Sequence, residues 1–527
     1  MGAIRRAARI TRRVFLLGTV AVAGGAAFGI YKLRQEPPNP LVPRPGETPL
    51  NAFVVVTRDG VRVVTGRAEM GQGTHTTMAA LVAEELDVPW EQVEVIHGPA
   101  AQAYYNSALL GAGLPWPDYR ITGWREWLRE QAGEIGKLMK LQVTGGSTAM
   151  IDAFERLRIA GASAREMLKA AAAERLGVPA ERLRTEGGRV IAPDGTALPY
   201  AELAEAAARQ EPPAEVKLRE RSRWRYLGRP MPRLDVPAKV TGRATFGLDV
   251  RLPGMRFAAV RMNPRLGGPM RRFDAAAAEA MPGVEKVIDL GTGIAVVARN
   301  SWLAMRAAEA VEIEWGPAPY PASDAELTAR IEAAFEGEPD SALRDDGDAL
   351  DALAKAPKDR IIEAEYRVPW LAHATMEPMN ATGWLHDGVL EIWSPNQAPI
   401  VARDKAAEAV GLEPDKVVVH TTFLGGGFGR RAEFDFSVLA ARVAAAMPGV
   451  PVQVMWSREE DMTHDFYRPA AIGRYRAVLG KDGPEALLGR VAAPSVAHQS
   501  SMRIAGFVPP GPDKAHVEGA FDQPYAI

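Results

Sequence analysis

The sequence predicts a multidomain α+β protein, in which mixed sheets with helices are accompanied by a smaller inserted α/β domain. The chain has 527 residues, 47% hydrophobic and 24% charged, which is enough for several domains with sizeable cores. Runs of β-branched residues alternate with long Ala- and Leu-rich stretches, and glycine turns separate the two. Such an arrangement is typical of strand-turn-helix units.

The N-terminus has the layout of an export signal. Arg12 and Arg13 precede an apolar run rich in Gly and Ala at residues 16–30, which is the pattern of a twin-arginine signal. The run is shorter than the roughly 20 residues needed to cross a bilayer. We therefore predict a signal at residues 1–36, a proline-rich spacer at 37–50, and a periplasmic protein that is tethered to the membrane only if the signal stays uncleaved.

Local patterns predict the main elements in chain order. Two β-branched runs, 53–57 and 61–65, flank Asp59-Gly60, the sequence of a tight hairpin. A strand is predicted at 417–419, and a strand-rich block begins near Ile361. Composition and apolar spacing predict helices at 76–86, 150–176, 301–310 and 434–446.

Three tryptophans, Trp116, Trp124 and Trp127, lie in a Gly- and Pro-rich stretch at residues 104–141. A docking surface for a partner or a membrane is one interpretation. Aromatic residues at this spacing are more often part of a core, so we predict that they are buried.

Charge and cysteine content exclude several classes of function. The 63 basic and 65 acidic residues give a net charge of -2, and no basic stripe supports a nucleic-acid partner. The absence of cysteine excludes disulfides, thiolate zinc sites, cysteine-ligated iron-sulfur clusters and a catalytic thiol. The eight histidines have no paired metal spacing. Any one-electron relay is therefore expected in another chain, and no side chain is predicted to ligate a metal.

Two glycine turns each precede a predicted helix. In the first, EMGQGTHTT at residues 69–77, Gly71 and Gly73 bracket Gln72, so the backbone can approach a ligand while the amide donates and accepts hydrogen bonds. The second, TGGST, occupies residues 144–148. The free amides of a helix N-terminus favour phosphate or oxo groups.

A third glycine turn, FLGGGFGRR at residues 423–431, follows a strand and precedes a helix. A nicotinamide-binding loop is disfavoured, because the glycines are too compact for GxGxxG and no acidic residue follows at the required distance. Cations are unfavourable at a helix N-terminus, so Arg430 and Arg431 are predicted to bind a phosphate or pyrophosphate.

These motifs resemble those of the xanthine dehydrogenase and aldehyde oxidoreductase molybdenum hydroxylases. The turns at 69–78 and 425–431 look like their two cofactor motifs. DVPAKVTGRATFGLDV at 235–250 resembles the start of their hammerhead domain, and HATMEP at 373–378 resembles another shared strand. Because the GQG turn precedes the hammerhead here, the order is similar to that of isoquinoline 1-oxidoreductase beta subunits.

The resemblance implies a domain order and a cofactor. It implies molybdenum-cofactor-binding domains at 51–211 and 361–480, a hammerhead domain at 222–318, a linker or loosely packed helix pair at 319–360, and an incomplete start of the C-terminal cofactor-binding region at 481–527. The implied cofactor is molybdenum-molybdopterin in its cytosine dinucleotide form. The residues assigned to it are Gly71, Gln72, Gly73, Thr74, His75, Thr76, Thr144, Gly145, Gly146, Ser147, Thr148, Gly426, Gly427, Phe428, Gly429, Arg430 and Arg431.

The implied activity is hydroxylation of a small N-heteroaromatic or aldehyde with oxygen from water. Its electrons would pass to a ferredoxin-like small subunit with two-iron two-sulfur clusters, and then to a cytochrome c. Ala432 stands where purine-oxidising relatives carry an acid, which disfavours purines. A non-catalytic cofactor carrier is the alternative from another functional class.

The general-base glutamate of these enzymes lies in a G-x-G-E segment that does not occur in this sequence. We expect it beyond Ile527, and expect the chain as given to be truncated and inactive. Glu69, Glu377 and Glu433 are interpreted as structural acids, because ordinary acids greatly outnumber catalytic ones.

Overall fold

The structure is a computed structural model that describes residues 36–506, 508, 511–525 and 527. It is a mixed α+β molecule, as predicted. Arg12 and Arg13 of the predicted export signal lie outside the described residues. The strands are β1 (Glu47–Pro49), β2 (Val54–Thr57), β3 (Val61–Thr65), β4 (Val93–His97), β5 (Arg184–Glu186), β6 (Arg189–Ile191), β7 (Ala197–Pro199), β8 (Arg256–Met262), β9 (Met270–Asp274), β10 (Val284–Asp289), β11 (Gly293–Ala298), β12 (Glu312–Trp315), β13 (Ile361–Val368), β14 (Asn380–His386), β15 (Val389–Ser394), β16 (Val417–Thr421), β17 (Val452–Met455), β18 (Ala471–Leu479) and β19 (Pro484–Ala492).

Four of the α-helices lie close to the helices predicted at 76–86, 150–176, 301–310 and 434–446. The α-helices are α1 (Thr74–Leu86), α2 (Ala108–Ala112), α3 (Trp124–Leu138), α4 (Ala149–Leu176), α5 (Tyr200–Ala207), α6 (Val236–Val240), α7 (Ala276–Glu279), α8 (Ser301–Ala310), α9 (Asp324–Ala333), α10 (Ala349–Lys355), α11 (Pro399–Val410), α12 (Asp435–Ala446), α13 (Arg458–Thr463) and α14 (Val496–Ala505). Among the described residues, none of these helices has both the length and the apolar character needed to cross a bilayer.

The N-terminal part is a four-stranded sheet covered by α1 and α4. The hairpin predicted around Asp59-Gly60 is confirmed, because β2 and β3 pair antiparallel. β3 then pairs in parallel with β4 through the crossover helix α1. A Cβ at Gly161 would lie 2.8 Å from the carbonyl oxygen of Val82, so glycine allows α4 to pack closely on α1.

Residues 107–140 form an excursion between β4 and α4 that contains α2 and α3. Its two ends meet where the amide of Asn106 donates to the carbonyl of Leu141 at 2.8 Å. The predicted burial of the tryptophans is wrong, because Trp124 is 63% and Trp127 60% exposed on α3 and Trp116 is only partly buried. On the inner face of α3, Gly133 and Gly136 pack against residues 106 and 107. The bulky side chains of α3 therefore lie on its outer face.

The central sheet has seven strands in the order β10-β11-β8-β17-β14-β15-β16. β8 pairs in parallel with β17, so the predicted segments 222–318 and 361–480 share one sheet. Its core includes Ile392 and Val454 from the strands and Phe436 from α12. The β15-β16 edge of this sheet leads into the site described below.

A smaller sheet, β13-β18-β19, crosses the predicted boundary at residue 480, because β18 and β19 are neighbours in one antiparallel pair. Helices α9 and α10, from the predicted linker 319–360, pack on it. Ile331 of α9 lies against Ile472, and Leu353 of α10 lies against Val478. This linker is therefore a helix pair with its own small apolar contacts. The division into domains otherwise stays a prediction.

Candidate functional site

Three glycine turns, each ahead of a helix, form the candidate site. Loop 1 (residues 69–73) joins β3 to α1, loop 2 (residues 144–148) precedes α4, and loop 3 (residues 424–431) follows β16 and precedes α12. The sequence predicted all three as turns before helices, and the structure confirms that placement.

Direct hydrogen bonds bring the three loops together. The amide of Ala68, just before loop 1, donates to Thr144 Oγ1 of loop 2 at 2.8 Å. The amide of Leu424 in loop 3 donates to the carbonyl of Glu69 in loop 1 at 3.2 Å. Segments separated by about 75 and 355 positions therefore line one region of the molecule.

Loop 1 is built around a buried carboxylate. Glu69 has no exposed surface, and it accepts hydrogen bonds from the amides of Gly71 at 2.8 Å, Gly73 at 3.2 Å and His75 at 3.0 Å. Arg233, from a distant segment, donates to Glu69 at 3.1 Å and to the carbonyl of Gly71 at 2.9 Å. The interpretation of Glu69 as a structural acid agrees with this geometry.

The side chain of Gln72 is exposed but is used within its own loop. Nε2 donates to the carbonyl of Ala68 at 2.8 Å, and Oε1 accepts from the amide of Met70 at 2.7 Å. These bonds hold the turn in shape. A direct contact of the Gln72 amide with the cofactor stays a prediction.

The three residues after loop 1 are turned inward. Thr74, His75 and Thr76 are buried, and Thr76 Oγ1 accepts from the amide of Leu234 at 3.0 Å. Neither ring nitrogen of His75 has a partner among the described residues. Burial lowers the pKa of His75 to about 4, so the ring is neutral at physiological pH. The side chains of these three residues lie in the core behind loop 1, and their assignment to a cofactor stays a prediction.

Loop 2 is held by Asn106 and Thr148. Asn106 Nδ2 donates to Thr148 Oγ1 at 2.7 Å, and Thr148 Oγ1 donates to the carbonyl of Gly145 at 2.7 Å. Gly146 and Ser147 have positive φ angles of 60° and 54°, and both are exposed. Within the described part of the chain their backbone amides have no acceptor.

Loop 3 presents backbone in the same way. Gly426, Phe428 and Gly429 have positive φ angles of 93°, 53° and 105°, and Phe428 is 70% exposed. A positive φ in a phenylalanine is a strained conformation of the kind that collects at functional sites. Counting only partners in the described residues, the amides of Gly426, Gly427 and Phe428 are unpaired.

Free amides on neighbouring turns make a cradle for an anionic or oxygen-rich ligand. Loop 1 adds the backbone amide of Gln72, which also lacks an acceptor among the described residues. In the same part of the chain, no group of three His, Asp or Glu side chains is arranged to hold a metal ion. The donor set therefore suits a ligand recognised by backbone amides and not by side-chain charge.

The predicted phosphate role of Arg430 and Arg431 is corrected by their burial, since they are 1% and 0% exposed. Arg430 makes two hydrogen bonds to Asp435, at 2.8 and 2.9 Å. Arg431 donates to the carbonyls of Gly426 at 2.9 Å and Glu377 at 2.6 Å. The anions that stabilise these cations come from the chain itself, so their guanidinium groups support loop 3 from behind.

The other two acids considered as bases are also structural. Glu377 accepts from the amides of Leu248 at 3.0 Å and Gly425 at 2.9 Å, which fixes the start of loop 3. Glu433 pairs with Arg503 at 2.5 Å. Both side chains are buried.

Sequence reasoning missed Gln397, which lies between β15 and α11. This residue is 2% exposed, and it makes hydrogen bonds to loops 2 and 3 from both its backbone and its side chain. Its position in an SPNQAP segment after a predicted strand offered no signal beyond a polar residue in a turn.

The three loops present unpaired backbone amides that suit a large polar ligand, and comparison with known families indicates a molybdopterin cofactor. Residues 334–488 match a family model described as molybdopterin cofactor-binding domain, and residues 17–111 match a second model of the same description.

Three curated relatives illustrate the likeness. The beta subunit of isoquinoline 1-oxidoreductase from Brevundimonas diminuta is 32% identical, over 90% of this chain and 63% of the relative. Membrane-bound aldehyde dehydrogenase [pyrroloquinoline-quinone] of Gluconacetobacter polyoxogenes is 25% identical, over 90% and 59%. A subunit of nicotinate dehydrogenase from Pseudomonas putida is 28% identical, over 84% and 35%. The two matched models and these relatives make the chain similar to the molybdopterin-binding subunits of the xanthine dehydrogenase family.

This chain spans less than two thirds of the length of these relatives. Among solved structures, quinoline 2-oxidoreductase from Pseudomonas putida 86 is similar to this chain with a TM-score of 0.40 and 21% identity. That match covers 49% of this chain and 38% of the other.

Proposed function

We propose that this chain is the molybdopterin-binding large subunit of an exported molybdenum hydroxylase that oxidises an N-heteroaromatic or aldehyde substrate with oxygen from water. The observation that carries the proposal is the convergence of three glycine loops that present unpaired backbone amides. A molybdopterin offers phosphate, carbonyl and oxo oxygens as acceptors, which suits such donors.

Each loop has a distinct role in this proposal. The amides of Gly146 and Ser147 would bind the phosphate or the pterin, and those of Gly426 to Phe428 would line the opposite side. When bound, the cofactor supplies the oxygen-transfer and two-electron chemistry. The buried Glu69, Glu377 and Arg431 keep the loops in shape, and the exposed ring of Phe428 would cover one side of the bound cofactor.

Electron transfer requires a partner in this proposal. The chain has no cysteine, so it offers no ligands for a cysteine-held iron-sulfur cluster. A ferredoxin-like small subunit with two-iron two-sulfur clusters is the proposed acceptor, with a cytochrome c beyond it. The cytosine dinucleotide form of the cofactor is part of the proposal as well.

The test is the metal and nucleotide content of protein purified from a host that makes the dinucleotide cofactor. We expect about one molybdenum per chain by mass spectrometry, and release of CMP on acid hydrolysis. Protein from the same host grown with tungstate in place of molybdate is the control. A purified protein with neither molybdenum nor pterin, or with a bound quinone in their place, would overturn the proposal.

A second measurement separates an enzyme from a cofactor carrier. With the iron-sulfur partner co-expressed and the G-x-G-E segment of a related subunit appended, the enzyme is expected to transfer ¹⁸O from labelled water to a quinoline, nicotinate or aldehyde substrate, whereas the 527-residue chain without that segment is expected to be inactive. A complex that retains molybdenum but oxidises none of these substrates would support a carrier.

Export is tested through the arginine pair. Arg12→Lys combined with Arg13→Lys keeps the charge but removes the twin-arginine pattern. We expect the double variant to stay in the cytoplasm and the parent chain to reach the periplasm on cell fractionation. Equal amounts of both in the periplasm would contradict the twin-arginine route.

A further inference from the structure

Gln397 contacts loop 2 and loop 3 at the same time. Its backbone carbonyl accepts from the amide of Thr144 at 2.8 Å, and its own amide donates to the carbonyl of Arg431 at 2.8 Å. Its side chain repeats both connections, because Nε2 donates to the carbonyl of Thr144 at 2.7 Å and Oε1 accepts from the amide of Gly429 at 3.3 Å.

The geometry requires an amide of this length. The carbonyl of Thr144 needs a donor and the amide of Gly429 needs an acceptor, and a primary amide is the uncharged side chain that provides both. Oε1 also lies 2.7 Å from the position that a Cβ on Gly427 would occupy, so loop 3 is folded directly onto this oxygen. Because Gln397 is 2% exposed, water does not replace either bond.

Both loops need an external restraint. Each contains a non-glycine residue with positive φ, Ser147 in loop 2 and Phe428 in loop 3. Such a conformation persists only where the surroundings hold it in place. The Gln397 side chain is bonded to Thr144, three positions before Ser147, and to Gly429, one position after Phe428.

We propose that Gln397 is a positioning residue that couples loops 2 and 3, so that the two sides of the cofactor cradle form together. It contacts the loops and not the cofactor. The expected effect on cofactor retention rests on the proposed function. The coupling of the two loops is a property of the cofactor-free chain.

The experiment uses two variants that break the coupling by different routes. Gln397→Met keeps the length and removes both polar atoms, and Gln397→Asn keeps the amide but is one methylene too short. The matched control is Gln453→Met. Gln453 is also buried, at 1% exposure, and its Nε2 donates to the carbonyls of Gly247 at 3.2 Å and Leu248 at 3.3 Å, so that it has no direct hydrogen bond to any of the three loops.

Hydrogen exchange on cofactor-free protein is the first measurement. In both Gln397 variants the amides of Thr144 and Gly429 are expected to exchange at least tenfold faster, in parallel, whereas Gln453→Met leaves them unchanged. Faster exchange in one loop only would overturn the coupling. Failure of both Gln397 variants to fold while Gln453→Met folds would also overturn the coupling, because Gln397 would then be required for the stability of the whole fold.

Cofactor retention is the second measurement. We expect both Gln397 variants to be purified with less than a tenth of the molybdenum found in the parent and in Gln453→Met. Parental occupancy in the Gln397 variants would overturn the positioning role. Absence of molybdenum from the parent chain would instead count against the proposed function, and the exchange experiment would still decide the role of Gln397.

Discussion

At Gly427 the hydrogen atom in place of a side chain lets three parts of the molecule meet. A Cβ there would lie 2.7 Å from both Gln397 Oε1 and Met70 Sδ. The methionine has a flexible end, but the glutamine is held by its hydrogen bonds to Thr144 and Gly429. Loop 3 therefore has no room for a side chain at this position.

We expect Gly427→Ala to lower the free energy of unfolding by about 1–3 kcal/mol, the usual cost of overpacking. Urea unfolding measures this loss. Gly113→Ala is the control, because the nearest atom to its Cβ is the carbonyl oxygen of Leu110 at 3.4 Å. Its effect is expected to stay within about 0.5 kcal/mol. Equal effects of the two substitutions would contradict the close packing at Gly427.

Asp235 stabilises loop 1 indirectly and gives a pH dependence. Burial alone would raise its pKa, but hydrogen bonds from Arg233 and Lys239 outweigh burial and lower the pKa to about 2. A carboxylate with a lowered pKa stabilises the folded state above its unfolded pKa near 3.9, and this contribution is lost as the pH falls toward 2.

We therefore expect Asp235→Asn to be less stable than the parent at pH 6, with a smaller difference at pH 3. Chemical unfolding of both proteins at the two pH values measures the change. The difference between parent and variant isolates this carboxylate from other groups that titrate in the same range. A difference that stays constant or widens at pH 3 would show that Asp235 is not ionised with a lowered pKa.

At the level of elements, α3 shows how packing overrides composition. Its glycines face residues 106 and 107, so close backbone approach replaces side-chain burial on the inner face. Trp124, Trp127, Ile135 and Leu138 are left between 45% and 63% exposed on the outer face. The aromatic content of this stretch therefore misled the prediction of a core.

Because Trp127 is 60% exposed, Trp127→Gln is expected to change the free energy of unfolding by less than about 0.5 kcal/mol. Phe436→Ala, at a residue of α12 with 0% exposure, is the comparison and is expected to cost about 3–5 kcal/mol. Thermal or urea unfolding provides both values. A loss above about 1 kcal/mol at Trp127 would mean that the residue is packed in solution.

At the scale of the whole molecule, the central sheet unites segments that the sequence separates. Strand β8 lies beside β17 with Val452 opposite Arg256 and Met455 opposite Ala259. The intervening chain includes residues 337–348, which have no regular secondary structure and are mostly exposed. The two halves of the sheet are thus joined by backbone hydrogen bonds as well as by the chain.

A cut in that segment is expected to leave the molecule assembled. With a specific protease site inserted between Asp340 and Ser341, we expect cleaved protein to elute from a size-exclusion column as one species of the uncleaved size. Separation into two fragments without denaturant would show that the shared sheet does not hold the halves together. Uncleaved protein carrying the same insertion is the control.

Elements that depend on interactions within a few residues were predicted correctly, whereas side-chain positions that depend on distant residues were not. Helix α8 lies at the predicted residues 301–310, and α4 begins one residue before the predicted position. Propensity and apolar spacing act within a few residues, so these signals are visible in the sequence. The positions of Arg430 and Arg431 depend on Asp435, Glu377 and a carbonyl of loop 3. The prediction that these arginines bind a phosphate or pyrophosphate was wrong because these partners could not be seen in the sequence.

The sequence by itself determined the α+β class, the three glycine turns with their helices, and the family likeness, because these depend on short motifs and local periodicity. The tertiary structure decided that the turns meet, that Gln397 joins two of them, and that the arginines lie behind the cradle. The physical reason is that buried hydrogen bonds between residues hundreds of positions apart decide which polar groups face a ligand and which are satisfied inside the protein.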